Sequence, residues 1–279
     1  MSSQKPLISI VVPCYNQARY IDDCLSSVVS QSFSNWQCIV INDGSQDNID
    51  QVIRPWLELD SRISYIKQKN RGVSVARNVA IEASTAQWIL PLDADDKISS
   101  DYLELASREF DKNYKLIYAK AQLFGNMNCD WNLKEYSKKD LAIDNMIYNS
   151  AFFRKADWKA VGGYDENNRL GLEDWDFWLM LLKDAEEEQV LRLNHICFYY
   201  RKKDNSRLTD LAQDTHKLHR ATKNVHKKHA EFVIEQLDPL NTLYDYKYEH
   251  ESFVSSRLYK TYMLLREGLK KVGLKIKKV

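Results

Sequence analysis

The stretch Trp88-Ile89-Leu90-Pro91-Leu92-Asp93-Ala94-Asp95-Asp96-Lys97 decides the fold. Its first five residues, mostly apolar, read as a short buried strand, and three carboxylates crowd its end at Asp93, Asp95 and Asp96. Like charges this close repel, and each resists desolvation unless something positive sits among them. A hard divalent cation is the simplest neutraliser. Mg²⁺ or Mn²⁺ prefers oxygen ligands and completes its shell with one or two carboxylates and substrate phosphates. Taken alone, the cluster also reads as a solvated acidic turn. Three further strand ends upstream argue against that.

Ile8 to Val12 is continuously apolar and β-branched, as a strand buried on both faces should be. Pro13 stops it and Cys14-Tyr15-Asn16 forms the loop. Ile21, Cys24, Leu25 and Val28 then recur at helical spacing. Cys38 to Ile41 is a second strand that turns at Asn42-Asp43-Gly44-Ser45. Ile49, Val52, Ile53, Trp56 and Leu57 predict a helix that Pro55 should kink or end. Ile63 to Ile66 is a third strand, followed by Asn70-Arg71-Gly72 and a helix through Ala76, Val79, Ala80 and Ala83. Trp88 to Leu92 is the fourth.

Strands alternating with helices imply right-handed βαβ units and a parallel sheet covered on both faces. In such sheets the ligand crevice lies beyond the carboxyl ends of the strands. Tyr15 and Asn16, Asp43, Asn70 and Arg71, and Asp93 to Asp96 all sit at such ends. Four polar loops therefore converge on one site. They suit a nucleotide: Tyr15 can stack on a base, Asp43 can accept from a base N–H, and Arg77 can place a guanidinium near phosphates. Each also has a plainer reading, as packing aromatic, turn former and surface cation. No Gly-x-Gly-x-x-Gly or Gly-Lys-Ser/Thr follows the first strand, so dinucleotide and P-loop readings lose their support.

Val12-Pro13-Cys14-Tyr15-Asn16, Ile41-Asn42-Asp43-Gly44-Ser45, Asn70-Arg71-Gly72 with Ala76-Arg77-Asn78, and Leu92-Asp93-Ala94-Asp95-Asp96 resemble the family 2 glycosyltransferases from about Leu7 to Lys97. The resemblance implies a GT-A fold: an α/β, Rossmann-like domain with a mainly parallel central sheet and helices on both faces. It implies a nucleotide-sugar donor and inversion of the anomeric centre. Asp43 would contact the base, with Pro13, Tyr15, Asn16 and Arg71 in the nucleotide loops. Asp93 would lie near the ribose or metal, and Asp95, with Asp96, would hold Mn²⁺ or Mg²⁺ on the diphosphate.

Between Ser99 and Met146 the pattern predicts a helix through Leu103, Ala106 and Phe110 and a strand at Leu116 to Ala119. Gln122 to Tyr136 reads as a variable acceptor-side loop region, with no chemistry assigned to Cys129 or Trp131. Ala151 to Arg154 is a strand and Ala156 to Val161 a short helix. Gly162-Gly163-Tyr164-Asp165 is a tight turn that needs glycine's freedom. Glu173 and Asp174 fall at a helix start, where the dipole favours ionised carboxylates. A carboxylate ionised near neutral pH is a base; capping is the alternative. The stretch resembles the family's acceptor-site motifs, which makes Asp174 the base, Glu173 its neighbour on the acceptor, and Gly163 and Tyr164 acceptor-side residues. Trp175 is a candidate sugar platform, and Trp178 reads as core.

Val190 to Leu193 and Ile196 to Arg201 read as strands. Tyr200-Arg201-Lys202-Lys203-Asp204-Asn205-Ser206 resembles a family segment that often reads Tyr-Arg-x-His-x-x-Ser, with Lys203 at the histidine position. An ammonium cannot ligate a metal, but it can neutralise a leaving diphosphate. The chain thus divides into a catalytic domain, 1–208, with a nucleotide half (1–98) and an acceptor half (99–208), and a helical extension, 209–279. In that extension His216, His219, His226 and His229 sit among lysines and arginines and read as a solvated face.

The end of the chain is different. Val254, Leu258, Tyr262, Leu265, Leu269, Val272 and Ile276 form one apolar stripe. From Arg257 onward eight cations stand against Glu267 alone, a net of +7. A basic amphipathic stretch over 253–279 fits an anionic membrane surface, and a helix packed on the domain fits as well.

Composition sets the outer limits. The chain has 279 residues, 44% of them hydrophobic, and a formal net charge of +1, with no global bias toward nucleic acid. Five cysteines without paired metal spacing fit reduced thiols in a cytoplasm. No leader-like apolar core precedes the first strand, and no run approaches the roughly 18 residues a spanning helix needs. The expected enzyme is cytoplasmic, or peripheral on the inner membrane face, and transfers a hexosyl or N-acetylhexosaminyl unit to a glycan or glycolipid hydroxyl. A metal-dependent nucleotidyltransferase would want a Gly-rich basic loop after the first strand, where this chain has Pro13-Cys14-Tyr15-Asn16. An aspartyl-phosphate phosphatase would want its Asp-x-Asp after the first strand. A sugar-nucleotide-binding module without catalysis is the non-enzymatic alternative.

Overall fold

The computed structural model describes residues 5–203, 214–238, 248–252, 254–256, 260–261 and 264. The first half comprises β1 (Ile8–Cys14), α1 (Ile21–Val29), β2 (Trp36–Asp43), α2 (Ile49–Val52), α3 (Arg54–Leu59), β3 (Ile63–Gln68), α4 (Val73–Ala83) and β4 (Trp88–Pro91). The second half adds β5 (Lys97–Ile98), α5 (Tyr102–Ser107), β6 (Leu116–Gly125), β7 (Cys129–Trp131), α6 (Lys138–Leu141), β8 (Phe152–Arg154), α7 (Lys155–Val161), α8 (Glu173–Leu182) and β9 (Val190–Lys202). Two helices follow, α9 (Thr215–Lys228) and α10 (Ala230–Leu237). One compact unit runs to Ala230 and a second begins at Glu231.

The sheet order is β3-β2-β1-β4-β8-β6-β9-β5, with β7 paired to β6. β3, β2, β1 and β4 run parallel, as βαβ alternation requires. Beyond β4 the sheet is mixed, because β8 lies antiparallel between β4 and β6. The mainly parallel expectation thus describes the first half. The two strands expected over 190–201 are one strand, β9, carrying a bulge where Leu193 and Ile196 oppose consecutive residues of β6.

Every residue of β1 is buried, which explains its unbroken apolar run. α1 turns Ile21, Cys24, Leu25 and Val28 inward, and full burial of such side chains stabilises by about 1.5–3 kcal/mol each. Pro55 sits in the first turn of α3 and separates it from α2. Gly44 is required where it stands: its φ is +73°, and a Cβ there would lie 2.6 Å from the Asn70 nitrogen. That contact brings the β2 and β3 loops together. The five cysteines are free, and all but Cys129 are buried. No helix among the described residues is long and apolar enough to cross a membrane. Nearly all of the basic apolar stripe at 253–279 lies outside those residues, as do Asp204, Asn205 and Ser206.

Candidate active site

The first three strand ends are sewn into one rim. Asn16, in the left-handed region at φ +54°, receives the Gln46 N–H on its side chain at 2.7 Å and donates its own N–H to Ser45 Oγ at 3.0 Å. Asp47 accepts from the Ala18 N–H at 2.8 Å. Asp43 is buried and receives the N–H groups of Arg71 and Gly72, both at 2.8 Å, and the Gln68 amide at 2.6 Å. It therefore shapes the Asn70-Arg71-Gly72 loop, with both carboxylate oxygens engaged. Tyr15 stands 47% exposed beside buried Pro13, an open ring at the rim. Arg71 reaches across to Glu166 at 3.5 Å.

The acidic turn after β4 is held from below by β9. Arg201 donates its backbone N–H to Asp96 Oδ1 and its Nε–H to the Asp95 carbonyl, both at 2.7 Å. Asp96 is 2% exposed, and burial, then Asp95 and Asp93, push its pKa well above the carboxylate range. Asp96 is thus not the metal ligand expected of it: its side chain points into the fold and anchors the turn. Asp93 and Asp95 face the crevice. Asp95 pairs with the Lys203 ammonium, which also lies 3.4 Å from Gln17 Oε1 and 4.8 Å from the Tyr20 ring.

These residues fit a hard divalent cation in one way. Among the described residues no three His, Cys, Asp or Glu side chains converge as a metal cage. Asp93 and Asp95 supply two oxygen donors, and Mg²⁺ or Mn²⁺ is ordinarily bound through one or two carboxylates with phosphates filling the shell. No histidine supplies a third protein ligand. Lys203 stands beside Asp95 instead.

Arg77 joins this turn to the start of α8. Its guanidinium is 2% exposed and contacts Asp93 at 2.8 Å and Glu173 at 3.3 Å, with the Tyr164 ring 5.4 Å away. The sequence placed Arg77 near phosphates; the structure commits it to two carboxylates. Such a buried cation is tolerated because both partners are anionic.

At the start of α8 the two acidic side chains diverge. Glu173 goes to Arg77, whereas Asp174 Oδ2 accepts from the Asn145 amide at 3.0 Å. Burial above all, then the charge of Glu173, push the Asp174 pKa up to about 6, with Arg77 opposing. The dipole alone would have kept it lower. The chain enters α8 through Leu172 at φ +61°, a left-handed turn for a bulky residue, which aims the pair.

One segment that the sequence left without chemistry completes the bridge. Asn145 donates to Asp174, and four residues on Asn149 donates to Asp93 at 3.3 Å. Asn78 is the third residue missed. Its Oδ1 accepts from the Tyr164 N–H (2.9 Å) and Trp158 Nε1 (3.1 Å), and its amide donates to the Tyr164 carbonyl at 2.8 Å. Gly163 permits this clasp, since a Cβ would stand 2.8 Å from Asn78 Oδ1. All three were within motifs or loops that no local pattern distinguishes from turn formers.

Two expected acceptor contacts are core instead. Tyr164 is buried and stacks on Phe177 at 4.1 Å. Trp175 is 1% exposed and gives its indole N–H to the Leu141 carbonyl at 2.8 Å, so it offers no platform. Trp178 is core, as read. The histidines of α9 divide. His216 and His219 are exposed, but His226 packs edge-on against Trp175 and His229 meets buried Asp176 at 2.7 Å. Helical periodicity puts Ala221, Val225 and His229 on one inner face while Lys223 and Lys227 face outward. Lys228 bridges Asp165 and Asp176, both at 2.8 Å.

A parallel first half, an Asp-x-Asp turn after β4 and a mixed second half define a GT-A-type fold. The S. aureus TarS 1–349 structure in complex with UDP-GlcNAc superposes with a TM-score of 0.65 at 18% identity, over 81% of this chain and 71% of that one. The mannosyltransferase PcManGT from Pyrobaculum calidifontis, in complex with GDP-Man and Mn²⁺, gives 0.58 at 14% identity, over 95% and 85%. At such identities the likeness is one of fold.

The chain belongs to glycosyl transferase family 2, whose model matches residues 9–168, more than half of its length. The chondroitin synthase of Pasteurella multocida (strain Pm70) is 30% identical over 202 residues, covering 69% of this chain and 20% of that protein. The hyaluronan synthase of Pasteurella multocida matches to the same extent. The chain therefore spans about a fifth of these relatives' length, and they act in polysaccharide synthesis.

Proposed function

We propose that this chain moves a single sugar, of the hexosyl or N-acetylhexosaminyl class, from a UDP-sugar to a hydroxyl of a glycan or glycolipid, with inversion, in the synthesis of a cell-surface polysaccharide or lipooligosaccharide. The observation that carries this reading is the bridge between the two sides of the crevice. Asp174 and Asp93 are tied to one short segment through Asn145 and Asn149, and Arg77 spans Asp93 and Glu173. A base and the diphosphate-side carboxylates are thereby held in fixed relation, as a single displacement requires.

In this reading Tyr15 and Asp43 receive the base, and Asp174 takes the acceptor hydroxyl's proton as that oxygen attacks the anomeric carbon. Glu173 holds Arg77 in place. Asp93 and Asp95 would hold Mg²⁺ or Mn²⁺, which when bound neutralises charge developing on the leaving diphosphate. Lys203 adds a cation on the same side. Support for a nucleotide-sugar donor comes from TarS, crystallised with UDP-GlcNAc, and from PcManGT, crystallised with GDP-Man and Mn²⁺. The basic stretch at 253–279 would attach the enzyme to the anionic inner face of the cytoplasmic membrane.

The test is nucleotide diphosphate release from UDP-glucose, UDP-galactose, UDP-N-acetylglucosamine and GDP-mannose, each with and without Mn²⁺. One of these should be hydrolysed slowly without acceptor, and Asp174→Asn should leave its binding intact. Pyrophosphate release would make the chain a nucleotidyltransferase. Binding without turnover under every condition would make it a module without catalysis.

A further inference from the structure

With Trp175 and Tyr164 in the core, neither ring offers a sugar an open aromatic face. Trp131, at the end of β7, supplies one. Its indole is partly exposed, and among the described residues its Nε1–H has no protein acceptor. Trp175, by contrast, is fully covered with its N–H paired.

The position of Trp131 is fixed by two neighbours. Its ring centroid lies 4.8 Å from that of Tyr148 and 4.9 Å from that of Tyr200. The Tyr148 hydroxyl also donates to the Trp131 carbonyl. Tyr148 belongs to the 145–149 segment that touches Asp174 at one end and Asp93 at the other. Tyr200 precedes Arg201, which holds the Asp95–Asp96 turn. The indole therefore stands one ring away from both halves of the catalytic network.

From these contacts we infer that Trp131, backed by Tyr148 and Tyr200, is the floor of a pyranose subsite for the acceptor. The inference rests on the glycosyl-transfer reading. The C–H face of a pyranose is weakly electropositive and apolar, and it complements the negative face of an indole. The free Nε1–H can donate to a ring-edge hydroxyl. The acceptor is favoured over the donor sugar by the topology. β7 pairs with β6, and β8 and β4 separate β6 from the nucleotide strands β1, β2 and β3.

The experiment uses the full chain saturated with UDP and probes it by saturation-transfer NMR. The probes are the methyl β-glycosides of glucose, galactose and N-acetylglucosamine. At least one should bind the wild type. Trp131→Ala and Trp131→Leu should both weaken it by about tenfold, with Trp131→Phe intermediate, since the leucine keeps apolar volume but not the π face. UDP affinity and Tm should be unchanged in the leucine variant, which separates binding from folding. Equal binding by wild type and the leucine variant overturns the subsite, as does the absence of binding by all three glycosides. A raised KM for donor hydrolysis in Trp131→Leu would place the ring under the donor sugar and overturn the acceptor assignment. If the wild type hydrolyses no nucleotide sugar yet loses glycoside binding on Trp131→Leu, the glycosyl-transfer reading fails while the sugar subsite stands.

Discussion

The pH dependence of turnover tests the role of Asp174 directly. Burial and the adjacent Glu173 charge push its pKa up to about 6. A base must be ionised, so kcat/KM should be near its plateau at pH 7 and fall about tenfold per pH unit below about 6. Three variants follow from the causes of the shift. Asp174→Asn should lower kcat by roughly 10²–10⁴, the usual contribution of general-base assistance, with donor affinity nearly unchanged. Glu173→Gln removes the neighbouring negative charge and frees Arg77 to face Asp174 more strongly, so the acid limb should move to lower pH. Neutralising Arg77 should move it higher, because Arg77 favours the ionised carboxylate. The assay is nucleotide release from the donor at pH 5–8 at saturating metal, read as kcat/KM to report the free enzyme. An acid limb that persists in Asp174→Asn would refute the assignment. So would a limb that moves upward in Glu173→Gln.

Asp95→Asn should abolish transfer and remove Mn²⁺-stimulated binding of the nucleoside diphosphate while Tm holds; unchanged stimulation by calorimetry would exclude Asp95 as a ligand. Arg77→Met should cost about 3–5 kcal/mol in denaturant unfolding, because it leaves Asp93 and Glu173 without their shared cation. A cost near zero would show that both carboxylates relax into water. Asp176→Ala should cost about 2–3 kcal/mol by stripping His229 and partly exposed Lys228 of their common partner. Truncation before Phe253 should reduce salt-sensitive binding to phosphatidylserine vesicles and spare activity on a soluble acceptor; an insoluble product would make the stripe core.

The nucleotide half was legible because its elements are local. β1, β2 and β4 announce themselves by buried apolar runs, the partly exposed β3 by the alternating Ile63 to Ile66, and each strand end by polar turn residues. Asp43, Asp93 and Asp95 could therefore be placed from strand position alone. The second half resisted because its connections are distant. Asn145, Asn149 and Asn78 matter through partners 29 to 88 residues away, and nothing in their neighbourhood marks them. Trp175 misled for the opposite reason. It stands beside the base in sequence, but successive helical residues point about 100° apart, so the neighbour of a site residue is often core. Asp96 was misread in the same way, since in a tight turn adjacent carboxylates face opposite sides. His226 and His229 were hidden by the neighbouring lysines Lys223 and Lys227, which face outward while these two histidines pack inward.

The charge balance of the site links the two roles given to its donor side. Asp93 is already matched by Arg77, Asp96 is turned inward onto a backbone N–H, and Asp95 is matched by Lys203. An incoming diphosphate adds negative charge beside Arg77 and Lys203, which are both already engaged by carboxylates. Lys203 can turn to that diphosphate only if Asp95 gains another positive partner, because a carboxylate left alone in a half-buried position costs several kcal/mol. Donor and divalent cation should therefore bind with positive coupling, each raising the affinity for the other by the same factor. Replacing Lys203 with His would remove that exchange and supply a metal ligand in its place. Cation affinity without donor should then rise, and the coupling should shrink. If Lys203→His leaves both quantities as they were in calorimetry, the Asp95–Lys203 pair is a structural contact and plays no part in donor binding.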